Sequence, residues 1–124
     1  MEFSKFVTKA GLYDKRNSFA KFDGCLKGLP DVLQDFYREN NPIDVEINNV
    51  RFSPVEELGD LQAEYSYLNA QLVFATCNGD PIFLQDGHVY TAPHGVKNPK
   101  RELLSENIEA FFLSLVSIKL NINF

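Results

Sequence analysis

Four residues whose side chains can bind metals or move protons fall close together: Asp80, Asp86, His88 and His94. Carboxylate and imidazole are common partners for a divalent metal and for general acid–base work, so chemistry is sought here first. The spacing argues against it. Asp80 follows Asn78-Gly79 and Asp86 precedes Gly87, turn sequences in which aspartate serves the backbone. His88 and His94 form neither an i, i+4 helical pair nor a compact loop signature. Cys77 has no base at a recognisable spacing and reads as a buried structural thiol. The sequence has no phosphate-binding glycine loop, Gly-x-Ser-x-Gly elbow or Cys-x-x-Cys pair. The expectation is a protein with no catalytic, metal or cofactor residues. A small enzyme using Asp80, His88 and His94 is the alternative.

Those residues sit on what reads as a three-stranded antiparallel meander from Leu72 to Ala92. Each run is short, rich in β-branched and aromatic residues, and bounded by residues that tolerate a left-handed backbone. Asp86-Gly87 fits a two-residue type I′ turn. In the first run Leu72 and Phe74 point one way and Val73 and Ala75 the other, which predicts a strand covered on both faces.

The rest of the chain must supply that cover. Phe3, Phe6, Val7 and Ala10 have helical spacing with Gly11 as a stop, and Phe19, Phe22 and Leu26 could continue a helical stripe to Gly24 or Gly28. Leu29-Pro30 opens a helix over about 30–39 with Val32, Leu33 and Phe36 on its buried face. Ile43, Val45 and Ile47 alternate with Asp44 and Glu46, a strand with one wet face. Asn48-Asn49 either turns this strand into a hairpin carrying Val50 and Phe52 or lies within one extended segment. Ser53-Pro54-Val55-Glu56 has the form of a capping box before a short helix ending near Gly59. Ser105 is placed to cap a last helix over about 106–118, with Ile108, Phe111, Phe112 and Leu115 on one face. The order of elements predicts a single α+β domain over 1–124, with a central, mostly antiparallel sheet flanked by helices.

Charge is unevenly spread. Residues 1–30 hold six Lys/Arg against three Asp/Glu, residues 31–64 two against nine, and residues 65–124 four against five. An acidic middle argues against phosphate-backbone binding as the main task, because that draws its affinity from clustered Lys and Arg. A basic partner is its complement, and a merely solvated surface is the plain alternative. Two widely separated cysteines, no secretory leader pattern at Met1 and no apolar run of membrane-spanning length predict a soluble cytoplasmic protein.

Taken in order, the motifs resemble the SUKH superfamily. They are Phe36-Tyr37-Arg38-Glu39-Asn40-Asn41-Pro42, then Val50-Arg51-Phe52-Ser53-Pro54-Val55-Glu56-Glu57-Leu58, then Phe74-Ala75-Thr76-Cys77-Asn78-Gly79-Asp80-Pro81-Ile82-Phe83, Gly87-His88-Val89-Tyr90, His94-Gly95 and a closing Phe111-Phe112 helix. The likeness runs from about Leu29 to Leu115. It implies an α+β domain and an interaction role. Many bacterial members look like immunity proteins of polymorphic toxin systems, and others like fungal regulators of cell-wall synthesis. The expectation is therefore a toxin-neutralising protein, monomeric or weakly dimeric when free. Its partner would be a basic toxin, such as one acting on nucleic acid, met by Asp44, Glu46, Glu56, Glu57, Asp60 and Glu64, with Tyr65 and Tyr67 as aromatic anchors. A regulatory scaffold without a toxin partner is the competing interaction role.

Overall fold

The computed structural model describes residues 3–122, with side chains described through Ser117. Its centre is the meander. Strands β5 (Leu72–Cys77), β6 (Asp80–Gln85) and β7 (His88–Thr91) are joined by the Asn78-Gly79 and Asp86-Gly87 turns, both with two successive positive φ values as a type I′ turn requires. Asn48-Asn49 has the same geometry and closes the hairpin of β3 (Glu46–Ile47) and β4 (Val50–Phe52), so the extended-segment reading is set aside. With β8 (Glu102–Ser105) they form one antiparallel sheet in the order β3-β4-β5-β6-β7-β8. A smaller sheet pairs β1 (Ser18–Ala20) with β2 (Asn41–Asp44). The fold is α+β.

Helices α1 (Ser4–Tyr13), α2 (Asp31–Asn40) and α4 (Ile108–Ile122) supply the aromatic core on one face of the large sheet. There the Phe112 ring lies 4.8–5.3 Å from those of Phe3, Phe6, Phe36 and Phe52. Tilted and edge-on pairs at such distances add about 0.5–1.5 kcal/mol each beyond burial. The other face is covered by α3 (Leu58–Glu64) and the turn after it, where Tyr65 and Leu68 pack with Val73, Phe83 and Ala92. Arg101 seals this second cluster by lying over the Phe83 ring, 5.1 Å from its centre, and donating to the Leu68 carbonyl. No helix among the described residues is long and apolar enough to cross a membrane.

β5 is covered on both faces, but its alternation breaks. Val73 pairs with Phe83 and Ala75 with Ile82, so Phe74 is an extra residue and the strand bulges there. Beyond the bulge Ala75 joins Leu72 and Phe74 in the aromatic core, whereas Val73 belongs to the second cluster.

Local signals mislead in several other places, each time because a more distant partner takes over. The Phe19, Phe22 and Leu26 stripe is not helical. Its first residues form β1, Phe22 N–H donates to the Arg38 carbonyl, and the Arg38 guanidinium donates to the Phe22 and Gly24 carbonyls. Ser53 does not cap a helix, because its N–H still bonds the Phe74 carbonyl and its hydroxyl turns to the Pro54 carbonyl. Buried Asn41 does the work instead, accepting from Val55 N–H at 2.8 Å and donating to Glu56 at 2.9 Å. A 3₁₀ turn, Val55–Glu57, follows and α3 continues past Gly59 to Glu64. Likewise α1 runs past Gly11, and Asn107 rather than Ser105 accepts the Ala110 N–H at the start of α4. α4 thus begins at Ile108 instead of about 106 and continues to Ile122. β8 carries no strand signature, since Leu103 and Leu104 are not β-branched and both are exposed.

Candidate functional site

The acidic segment folds into three separate places. Glu57, Asp60 and Glu64 occupy one side of the 3₁₀ turn and α3, at the three- and four-residue spacing that keeps helical side chains together. They line a groove of about 330 Å³ whose opposite wall is Arg51, Ser53 and Thr76 on the sheet. Arg51 lies 3.7 Å from Glu57, leaving three carboxylates against one guanidinium around the opening. Glu46 is the cross-strand neighbour of Arg51 but lies outside the lining of this groove.

Two contacts hold the groove in shape. β4 has ended where β5 reaches Val73, and the Gln62 side chain stands in for the missing strand: its amide oxygen accepts the Val73 N–H at 2.8 Å and its nitrogen donates to the Val73 carbonyl at 2.6 Å. At the far end the Tyr65 hydroxyl donates to the Gly79 carbonyl at 2.6 Å. Tyr65 is buried, 6 % exposed, so it forms the floor of the site and is not the protruding anchor the sequence suggests. Burial, then the Glu64 charge, pushes its phenol up to about 12. Tyr67, 49 % exposed, is available at the surface beside it.

The other acids lie elsewhere. Glu56 is drawn to Asn41, whose hydrogen bond lowers its carboxyl below the ordinary range. Asp44 and Glu46 border a second hollow of about 260 Å³ with Tyr13, Asp14 and Arg16. There Arg16 grips Asp14 with three side-chain bonds of 2.7–3.2 Å, which hold the Asp14 carboxyl down at about 2. The same guanidinium sits in the field of Asp44 and Glu46, so part of that negative charge is already answered. Arg51 and Thr76 are groove residues the acidic pattern does not name. The Val50-Arg51-Phe52 alternation does point Arg51 away from the core.

Of the four residues that could do chemistry, the structure joins Asp80 with His94 and separates His88 and Asp86 from them. His94 donates its backbone N–H to Asp80 Oδ1 at 2.9 Å, places Nδ1 2.6 Å from the same oxygen, and stacks on Gly79, where a Cβ would come within 3.1 Å of the ring. These bonds lower the Asp80 carboxyl. His88 pairs with Gln85 at the opposite end of the β6–β7 hairpin and bonds the Glu106 carbonyl at 2.8 Å, while Asp86 occupies the turn between those strands. Burial, then the Asp80 charge, raises the Cys77 thiol, the reverse of what a thiolate nucleophile needs. No three His, Cys, Asp or Glu side chains among the described residues are grouped to hold a metal ion.

Comparison with family models, curated proteins and solved structures returns no match.

Proposed function

We propose that this chain is an immunity protein that neutralises a bacterial toxin by stoichiometric binding, acting in the cytoplasm of the cell that makes it. The observation that carries the reading is the groove in which Glu57, Asp60 and Glu64 share one wall and face a lone Arg51. Such a concave negative surface attracts a basic protein and speeds its docking. A toxin acting on nucleic acid needs a basic surface for its substrate, and covering that surface blocks activity without touching a catalytic atom. Tyr67 supplies an exposed aromatic contact beside Tyr65. The SUKH resemblance supports the same assignment.

The test is co-expression with the polypeptide encoded beside this chain. The chain should co-purify with it and rescue cells producing it. Reversing Glu57, Asp60 and Glu64 to Lys should slow association about tenfold or more at low salt and flatten its salt dependence. Co-purification with a host protein and no protection would favour the regulatory scaffold instead. Turnover of a small substrate that is lost in Asp80→Asn or His94→Ala, with the fold intact, would return the enzyme reading.

A further inference from the structure

The acidic groove has a neighbour on the opposite face of the sheet. Between α4 and the strand ends lies a cleft of about 370 Å³, walled by Val50, Ile82, Leu104, Phe111 and Leu115. Its size is at the lower end of the range for pockets that bury a ligand, and it suits one large side chain with room at the mouth. Leu104 is 41 % exposed, so the apolar wall reaches the surface. Asp80 stands among the lining residues, its Oδ1 taking both hydrogen bonds from His94.

The two hollows share a ridge. Thr76 and Gly79 line the acidic groove, whereas Cys77, Asn78 and Asp80 line the apolar cleft, so the Asn78-Gly79 turn separates them. Successive strand residues point to opposite faces, which is how one short turn serves both. Both hollows therefore open at the same end of the sheet, and a partner seated across the turn meets carboxylates on one side and an apolar seat on the other, rimmed by Asp80, whose Oδ1 is taken by His94 and whose Oδ2 has no partner among the described residues.

We propose that this cleft is a second anchoring point for the same basic partner, taking a large apolar side chain flanked by a cationic group that meets Asp80. This rests on the immunity reading for the identity of the partner, but the chemistry of the seat can be measured without one. The probe is 4-phenylbutylammonium, an aryl body with a cationic end, added to the full chain and followed by amide chemical shifts. Saturable shifts are expected at Ile82, Leu104 and Leu115, with none at Asp60 and Glu64. Ser114 lines the cleft from α4, and Ser114→Trp should fill it and weaken the probe about tenfold. Leu104→Ala, a change at an exposed position that leaves folding intact, should weaken it several-fold. The neutral 4-phenylbutanol should bind about fivefold more weakly, the size of an exposed charge pair.

An absence of saturable shifts at the cleft, or unchanged affinity in both variants, overturns the proposal; equal binding of the alcohol overturns the role of Asp80. If the probe fails while groove reversal still abolishes protection, the cleft falls and the immunity reading stands. If the probe binds but Ser114→Trp protects as well as the parent chain, the cleft is not a partner anchor.

Discussion

Tyr65 joins the second hydrophobic cluster to the acidic groove through a single hydroxyl on the Gly79 carbonyl. Its phenol ionises at about 10 when unfolded and is raised in the folded chain, so the native state holds the proton more tightly. The stability this gives is complete below pH 10 and is lost as pH rises toward about 12. Tyr65→Phe should cost about 1 kcal/mol at neutral pH for the lost hydrogen bond. Its unfolding midpoint should also fall less steeply above pH 10 than that of the parent chain, as circular dichroism would record. A decline remains, because burial raises the Tyr37 phenol as well. Parallel alkaline limbs for parent and variant would show that Tyr65 does not titrate with unfolding. The sequence places an aromatic residue at this position beside the acids, yet its burial depends on Val73 and Phe83 arriving from another part of the chain.

Among the elements, the three asparagine- or aspartate-led turns set the registers, and they differ in what else they do. In the β3–β4 turn Asn48 and Asn49 both have positive φ, but among the described residues only Asn48 is tied in: its N–H donates to the Tyr13 hydroxyl at 3.0 Å and its amide nitrogen to the Leu115 carbonyl at 3.2 Å. Asn49→Gly should leave stability unchanged or raise it by up to about 1 kcal/mol, since glycine accepts this backbone freely. Asn48→Gly removes the bond to α4 and should cost about 1–2 kcal/mol in a denaturant titration. Equal effects of the two would mean that the turn matters only as backbone. Turn chemistry of this kind is local, and so the meander is legible in the residues themselves, whereas Asn48-Asn49 allows either a hairpin or one extended segment until β4 finds β5. Elements fixed by distant partners are not. Asn41 starting the turn at Val55 and Arg38 holding the Phe22 segment leave no nearby signature, and β8 is a strand because β7 offers it a ladder.

At the scale of the whole molecule, one aromatic core gathers α1, α2, β4, β5 and α4, and Phe112 sits among rings from the first four. Phe112→Ala should cost about 3–5 kcal/mol, a large part of the 5–15 kcal/mol that stabilises a domain. Thermal unfolding should show it as the most damaging of the substitutions considered. Phe112→Leu should cost much less, about 1.5 kcal/mol, because most of the buried volume is kept. The α+β class follows from pattern, because helical and strand spacings alternate along the chain in a readable order. The groove follows only partly. Helical spacing brings Glu57, Asp60 and Glu64 together, but their facing wall comes from β4 and β5, and Asp44, Glu46 and Glu56 are drawn off by Arg16 and Asn41.

The place of Phe112 on the last helix has a bearing on synthesis. As the chain leaves the ribosome, α1, α2 and the sheet emerge before α4, so the side carrying Phe52 and Phe74 lacks the Phe112 ring until that helix arrives. Full closure of the aromatic core thus waits for α4. Until then the uncovered apolar side of the sheet is open to non-native contacts, which is the stage at which a chaperone would act.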